Sequence, residues 1–184
     1  IYSYDLISDG KYLYNTDDNN NIVRYSVNKK GVLGINKTIS FKNVLDNRYK
    51  DITNGSSSLV STSSPVYYNG KIYMVADYYL TPEQSRKFYM KECALLTYDV
   101  NTCKYTVKDI EGIGLTDQTL AFYNKEMYLI GGYDYQLGSL STDVYKYTNS
   151  KWHKVSSLPS KRAKGKCLQY GDKLVYTLGI NEDN

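Results

Sequence analysis

The chain has 184 residues, of which 41% are hydrophobic, and this is enough apolar material for a sizeable core, which excludes a disordered polymer. The net charge of +4, from 23 basic and 19 acidic residues, is far from the basic stripe that nucleic-acid binding usually needs. We therefore expect no nucleic-acid partner. No apolar run has the length of a membrane span, so we expect no membrane insertion.

Tyrosine dominates the aromatic residues, with 22 Tyr against 3 Phe and one Trp. Tyr favours strands, because it buries a ring while keeping its hydroxyl near water. No window of the sequence shows the sustained spacing of three and four residues that an amphipathic helix needs. The sequence therefore predicts an all-β protein with very little helix.

The same hairpin pattern occurs four times along the chain: a strand, a short polar turn, and a second strand of Tyr and aliphatic residues. It occupies residues 9–14, 69–74, 124–129 and 171–176. Asp-Gly at 9–10 and Asn-Gly at 69–70 accept the positive backbone angles of a type I′ turn, so we predict two-residue hairpin turns. The copies lie 60, 55 and 47 residues apart, a period that is typical of propeller blades.

Each hairpin is followed by a third strand and usually by a fourth, whereas the last unit stops after its second strand. We therefore predict about three and a half four-stranded antiparallel blades within a single domain, 1–184. The approximate blades are 1–41, 59–110, 119–155 and, incomplete, 165–184.

The third unit resembles the kelch repeat. In that repeat a double glycine closes the second strand, and a Tyr and a Trp follow with six residues between them. Gly131 and Gly132 form the pair here, and Tyr145 and Trp152 have the required spacing. The other units keep less of the pattern: Tyr98 with Tyr105, Tyr25 with Val32, and Gly179 alone. The resemblance implies a kelch-type β-propeller of the galactose oxidase and kelch-like superfamily.

The physics of a blade agrees with this resemblance. A twisted four-stranded sheet has two apolar faces that only neighbouring sheets can cover, so blades are stable when they close into a ring. The units found here are too few to close one. We therefore expect a partial propeller, a fragment of a longer ring, whose remaining blades belong to the same protein or to another chain.

The connections divide into two sets that emerge on opposite rims. The hairpin turns are minimal, whereas the opposite connections are long. The long ones are 42–60, 77–93, 111–118, 132–142 and 156–164. Long loops on a rigid scaffold are where binding usually resides. We predict that this elaborated rim is the binding rim.

The candidate binding residues on the elaborated rim are aromatic or basic. They are Tyr78, Tyr79, Arg86, Lys87, Phe88, Tyr89, Tyr133, Tyr135, Arg162 and Lys164. Such rings stack on sugars or form a protein-binding patch, and the basic run at 161–166 is suited to an acidic glycan, a sialic acid or an acidic protein segment. The alternative for the aromatic rings is that they only pack one loop on another. The alternative for the basic run is that it is a solvated connection between strands.

Kelch-like propellers include enzymes, among them the copper enzyme galactose oxidase and the sialic-acid epimerases. Copper chemistry needs more than one His ligand, and His153 is the only His, so we expect no metal, no cofactor and no copper oxidation. The serines at 56–64 lack both a GxSxG context and a base at useful spacing. We expect Cys93, Cys103 and Cys167 to be small buried thiols.

The favoured hypothesis is a non-catalytic scaffold that binds a protein or a glycan, with a weak preference for a secreted or cell-surface location. The alternative is part of a propeller enzyme acting on a sugar or sialic acid, such as an epimerase or mutarotase. A third possibility is a purely architectural spacer. Carboxylates on or near the elaborated rim keep acid–base chemistry open. Two carboxylates, or a carboxylate and an Arg, converging over the central channel would favour the enzyme.

Overall fold

A computed structural model describes residues 6–17, 21–41, 58–79, 91–134 and 137–182, with the backbone alone at 58–61, 78–79 and 91–92. Every regular element in these ranges is a β-strand, which confirms the prediction of an all-β protein. The strands form four antiparallel sheets in chain order and one short ribbon.

The first sheet has four strands in sequential order. They are β1 (Ile7–Ser8), β2 (Leu13–Thr16), β3 (Ile22–Val27) and β4 (Leu33–Ile39). The pairing of Ser8 with Leu13 leaves four residues in the first turn, so the prediction of a two-residue turn at 9–10 is wrong.

The Asp9 side chain explains the wider turn. Its Oδ1 accepts hydrogen bonds from the backbone N–H groups of Lys11, at 2.8 Å, and Tyr12, at 2.7 Å. The Tyr14 hydroxyl donates to Oδ2 at 2.6 Å. A carboxylate that satisfies two turn amides stabilises a longer loop than an Asp-Gly dipeptide alone would suggest.

The second sheet contains five strands, because its inner edge is divided in two. They are β5 (Ser58–Thr62), β6 (Val66–Tyr68), β7 (Lys71–Tyr79), β8 (Lys91–Asp99) and β9 (Lys104–Glu111). Both β5 and β6 pair with β7. Asn69 and Gly70, at φ 46° and 76°, form the predicted two-residue turn between Tyr68 and Lys71.

The pairing of β7 with β8 extends further than the sequence suggested. Tyr79 pairs with Lys91, so the loop expected over 77–93 is shorter. Tyr78 and Tyr79, predicted as loop residues, lie in β7. Continuous antiparallel pairing satisfies the backbone polar groups that a loop would leave to solvent.

The third sheet has the order β10-β11-β14-β15, and a short ribbon, β12-β13, interrupts it between its second and third strands. The strands are β10 (Thr119–Tyr123), β11 (Glu126–Ile130), β12 (Tyr133–Asp134), β13 (Ser139–Leu140), β14 (Asp143–Thr148) and β15 (Lys151–Ser157). The fourth sheet pairs β16 (Lys166–Tyr170) with β17 (Lys173–Thr177).

Neighbouring sheets bury their facing sides, and the alternation along β7 shows how. Ile72 and Met74 belong to a core cluster shared with the first sheet, whereas Val75 belongs to a second cluster shared with the third sheet. Successive side chains of a strand point to opposite faces. The second sheet is therefore buried on both sides.

The aromatic residues of the kelch pattern lie in these interfaces. Tyr98 is fully buried in the cluster between the first and second sheets. Tyr145 and Trp152 pack against the cluster between the second and third sheets. The rings thus fill the wedge between blades, as the resemblance implied.

The outward faces of the two end sheets are exposed. In the fourth sheet Leu168 and Tyr170 are 64% and 80% exposed, and in the first sheet Ile35 is 71% exposed. The second and third sheets have a neighbour on each side, whereas each end sheet has one. The exposed apolar side chains therefore mark faces on which a further sheet would pack.

Candidate functional site

Three connections meet at the elaborated rim and bond to one another through their backbones. Thr116 and Tyr133 exchange two hydrogen bonds, of 2.9 and 2.7 Å. Gly132 N–H donates to Arg162 O at 2.8 Å, and Arg162 N–H donates to Ser141 O at 3.0 Å. We call residues 115–117, 131–133, 141 and 162–164 the rim framework. It holds this part of the rim in one arrangement.

The double glycine is what allows the framework to form. Gly131 and Gly132 have φ of 63° and 117°, a region that side chains other than glycine rarely adopt. A Cβ at residue 131 would lie 2.2 Å from Arg162 O, and one at residue 132 would lie 2.7 Å from Thr116 O. The glycine pair of the kelch pattern is therefore explained by close backbone approach within and between blades.

The same geometry returns 47 residues later. Ala163 and Ile180 form the bridge that Thr116 and Tyr133 form in the previous unit. A Cβ at Gly179 would lie 2.4 Å from Ala163 O. Leu178, at φ 60°, takes the position of Gly131. The framework is thus a repeating feature of the rim.

Three of the predicted binding residues belong to the framework. Tyr133 is half-buried at the start of β12, and Lys164 is exposed. Arg162 is half-buried, and its Nε donates to Ser160 Oγ at 3.3 Å. The structure therefore brings Tyr133, Arg162 and Lys164 onto one connected surface, from residues that are distant in sequence.

The other predicted binding residues are seven. Tyr78 and Tyr79 belong to β7, and Arg86, Lys87, Phe88, Tyr89 and Tyr135 lie outside the described residues. Their role in binding stays a prediction.

The basic run at 161–166 does not form one uniform patch. Lys161 Nζ lies 2.8 Å from Glu182 Oε1, and Lys164 Nζ lies 3.8 Å from Asp117 Oδ1. Lys166 Nζ instead donates to Ser64 Oγ of the second sheet at 3.0 Å. Exposed ion pairs contribute little stability. Their main effect here is to divide the positive charge into separate sites.

Sequence reasoning missed a cavity of about 740 Å³, to which all four sheets contribute. It is lined by parts of their inner strands, β1, β6, β10 and β16, and by residues next to them. Ser64, Thr119 and Lys166 each lie four residues before the Tyr that precedes a hairpin turn. That shared position was visible in the repeat and could have indicated that these three residues line one cavity.

The described residues show no metal centre: among them there is no group of three or more His, Cys, Asp or Glu side chains that could hold an ion. None of the three cysteines, all of which are among the described residues, forms a disulfide. Cys93 is buried as expected, whereas Cys103 is exposed in the turn after β8 and Cys167 is half-buried. Burial raises the pKa of the Cys167 thiol to about 12. In the described ranges no helix is long and apolar enough to cross a membrane.

A family model described as the Kelch motif matches residues 115–159, which run from the rim framework through the third sheet. The solved structure titled "Structure of YjhT" aligns with a TM-score of 0.54 at 15% sequence identity. The alignment covers 88% of this chain. The fold is a kelch-type β-propeller.

The kelch-type propeller described here is partial. The chain spans 46% of the YjhT chain, which agrees with three complete sheets and a two-stranded fourth. A search of curated proteins found no match. The likeness therefore concerns the fold, and the role of the chain must be argued from its own residues.

Proposed function

We propose that the chain is a non-catalytic binding module that recognises the acidic groups of a protein or glycan through the elaborated rim. The observation that carries the proposal is the rim framework, which presents Tyr133, Arg162 and Lys164 from a backbone already fixed by hydrogen bonds. A preorganised surface loses less conformational entropy on binding than a mobile loop does. The aromatic ring and the two cations are also suited to sugar and carboxylate recognition.

The described carboxylates near this rim have different surroundings. Asp77 is buried, Asp117 lies beside Lys164, and Asp134 Oδ1 accepts a hydrogen bond from Leu137 N–H at 3.1 Å. The lining of the cavity includes Lys125 and Lys166 and, among described residues, no carboxylate. This distribution favours binding over acid–base catalysis, which needs a proton donor and acceptor positioned around one substrate.

The test compares two surfaces on opposite rims. The rim variant carries Tyr133→Ala, Arg162→Ala and Lys164→Ala, and the control carries Lys29→Ala and Lys30→Ala in the exposed β3–β4 turn. The binding of the wild type and of each variant is measured on sialylated and neutral glycan arrays and on a library of acidic peptides. We expect the rim variant to bind its best ligand at least about tenfold more weakly, with the control and the thermal unfolding temperature unchanged.

Equal binding by the wild type and the rim variant would contradict the proposal, as would an equal loss in the control. If the protein binds only to the glycan array, it is a glycan-binding module. If it binds only to the peptide library, it is a protein-binding module.

A further inference from the structure

The turn between β8 and β9 carries an exposed thiol. Asp99 pairs with Lys104, which leaves four residues in the turn. The Asp99 Oδ1 accepts hydrogen bonds from the backbone N–H groups of Asn101, at 3.0 Å, and Thr102, at 2.9 Å. Cys103 is the last residue of this turn, and it is exposed at φ 56°. A backbone of this conformation favours glycine or asparagine, so the turn itself gives no reason for a cysteine.

A buried hydroxyl lies beside the Cys103 side chain. Tyr98 is 1% exposed, within the core cluster between the first and second sheets. Among the described residues its hydroxyl has no oxygen or nitrogen partner, and its neighbour is the sulfur of Cys103. Burial raises the pKa of Tyr98 to about 12, so the hydroxyl keeps its proton. Sulfur is a weak acceptor as a thiol and a stronger one as a thiolate. A deprotonated Cys103 therefore supplies the acceptor that the buried hydroxyl lacks.

Two cations of the first sheet act on the same sulfur. Arg24 in β3 and Lys37 in β4 are paired across the sheet, and the Arg24 guanidinium is within hydrogen-bonding reach of Cys103. Arg24 is itself held on two sides. Its Nε donates to Asn36 Oδ1 at 2.8 Å, and its Cζ lies 4.4 Å from the centroid of the Tyr12 ring. A cation that is fixed in this way attracts negatively charged reagents to the thiol.

These neighbours together favour the reactive form of the cysteine. The Tyr98 hydroxyl, followed by Lys37 and Arg24, lowers the pKa of the Cys103 thiol, because each of them stabilises the thiolate. The thiolate, and not the thiol, is the nucleophile. Cys103 is also the exposed one of the three cysteines. Accessibility and thiolate character therefore coincide at this position.

We propose that Cys103 is a modification site, at which a small disulfide bearing carboxylates forms a mixed disulfide with the protein beside Tyr98, Arg24 and Lys37. The deprotonated Cys103 Sγ attacks one sulfur of the reagent. A new S–S bond forms as the old one breaks, and the other half of the reagent leaves as a thiolate that takes a proton from water. The Cys103 sulfur is oxidised and the departing sulfur is reduced, so the disulfide is itself the oxidant.

This site goes beyond the proposed function. It lies in the β8–β9 turn and at the boundary of the first two sheets, and it shares no residue with the rim framework. The two proposals can therefore fail separately.

The probe is 3,3′-dithiodipropionate, which carries two carboxylates, added to the 184-residue chain at pH 7. Mass spectrometry of quenched samples gives the rate at which each cysteine forms the mixed disulfide. The matched control thiol is Asn149→Cys in a Cys103→Ser background, because Asn149 is exposed in a turn at φ 52°. We expect Cys103 to react at least about fivefold faster than this control thiol. Rates within about twofold of each other would overturn the proposal.

Tyr98→Phe tests the buried hydroxyl. We expect the rate of Cys103 at pH 7 to fall at least about threefold, and the pH midpoint of the rate to rise, because the thiolate loses a hydrogen-bond donor. The control is Tyr14→Phe, which removes another buried hydroxyl of the same core cluster, one that donates to Asp9. This control should leave both the rate and the pH midpoint unchanged. The Asp99 carboxylate, the charged group of the turn itself, is the same in all of these proteins. An unchanged rate and midpoint in Tyr98→Phe would overturn the site.

Neutralising the two cations tests the class of reagent. The neutral reagent is bis(2-hydroxyethyl) disulfide, and the measured quantity is the ratio of the rates for the charged and the neutral disulfide. We expect Arg24→Gln with Lys37→Gln to lower this ratio at least about threefold. The control, Lys161→Gln with Lys173→Gln, removes two exposed lysines near the fourth sheet and should keep the wild-type ratio. A wild-type ratio in the Arg24 and Lys37 variant, or an equal fall in the control, would overturn the preference for a reagent bearing carboxylates.

Discussion

The third and fourth sheets share a 47-residue register but differ in burial. In both, a backbone bridge closes the rim, through Thr116 and Tyr133 in one and through Ala163 and Ile180 in the other. The third sheet lies between two neighbours, and its Leu129 is 1% exposed. The fourth sheet has one neighbour, and its Leu168 is 64% exposed. The local backbone of a blade therefore repeats even where the packing around it does not.

The difference also explains why position 131 requires glycine whereas position 178 accepts leucine. Gly131 and Leu178 have nearly the same φ, 63° and 60°. Gly131 lies beneath the backbone of Arg162, whereas Leu178 is 72% exposed. Close approach of the next blade, and not the backbone angle alone, excludes a side chain at this position. Four changes test this comparison.

The largest effect is expected for Gly131→Ala. Its Cβ would lie 2.2 Å from Arg162 O, a backbone atom that cannot move without disturbing the rim framework. We expect a loss of at least about 3 kcal/mol in the free energy of unfolding, measured in urea. The control is Gly171→Ala, at φ 60° with nothing within 4 Å of its Cβ, which should cost only about 1–2 kcal/mol. Equal losses would mean that backbone angle alone explains the glycine pair.

Truncation of one leucine in each of the two sheets tests the burial difference. Leu129→Ala removes a side chain that is 1% exposed, and we expect it to cost about 2–5 kcal/mol. Leu168→Ala, in the fourth sheet, should change the unfolding free energy by no more than about 0.5 kcal/mol. A comparable cost at Leu168 would show that its face is covered in solution, contrary to the exposed fourth sheet.

Leu178→Gly restores the glycine that the pattern would place there. Because Leu178 adopts φ 60° and is largely exposed, the change should relieve strain with little loss of packing. We expect the free energy of unfolding to rise by about 1 kcal/mol. Leu178→Asn should give a smaller gain, since Asn tolerates this region better than Leu. Destabilisation by both changes would show that the Leu178 side chain packs against a neighbour.

A pH dependence is expected from Lys166, which joins the fourth sheet to the second through its hydrogen bond to Ser64. The folded-state pKa of Lys166 is lowered to about 8 by burial, below the value of an exposed lysine. The folded protein therefore binds fewer protons than the unfolded chain between about pH 8 and pH 10.4, and stability from this group rises with pH in that window. Lys166→Met should remove that part of the rise in urea unfolding between pH 8 and pH 10. An identical pH profile in both proteins would contradict the burial of Lys166.

Much of the fold could be predicted from local sequence signals. The dipeptide Asn69-Gly70 correctly predicted a two-residue hairpin turn, because both residues accept positive φ. The pattern of Gly131, Gly132, Tyr145 and Trp152 gave the kelch-type propeller, because close backbone approach and wedge-filling rings require those residue types. Such signals depend on neighbours in the sequence or on one repeating packing rule.

The site was harder to predict, because it depends on contacts between distant residues. Nothing local indicates that Lys166 reaches Ser64, 102 residues earlier, or that Lys161 pairs with Glu182. The extension of β7 through Tyr79 was missed because no turn signal marks where the pairing ends. The wider turn at Asp9 was missed because it depends on where one carboxylate points.

Native-state hydrogen exchange on the 184-residue chain tests most directly whether neighbouring sheets stabilise each blade. β10-β11 and β16-β17 are hairpins of equal strand length and turn length, so the hydrogen bonds between the two strands of each hairpin are matched, and β11 pairs in addition with β14. We expect the paired amides of β10 and β11 to exchange at least about a hundredfold more slowly than those of β16 and β17. Equal protection of the two hairpins would contradict the account, because it would mean that each hairpin owes its stability to its own sequence and not to the sheets beside it.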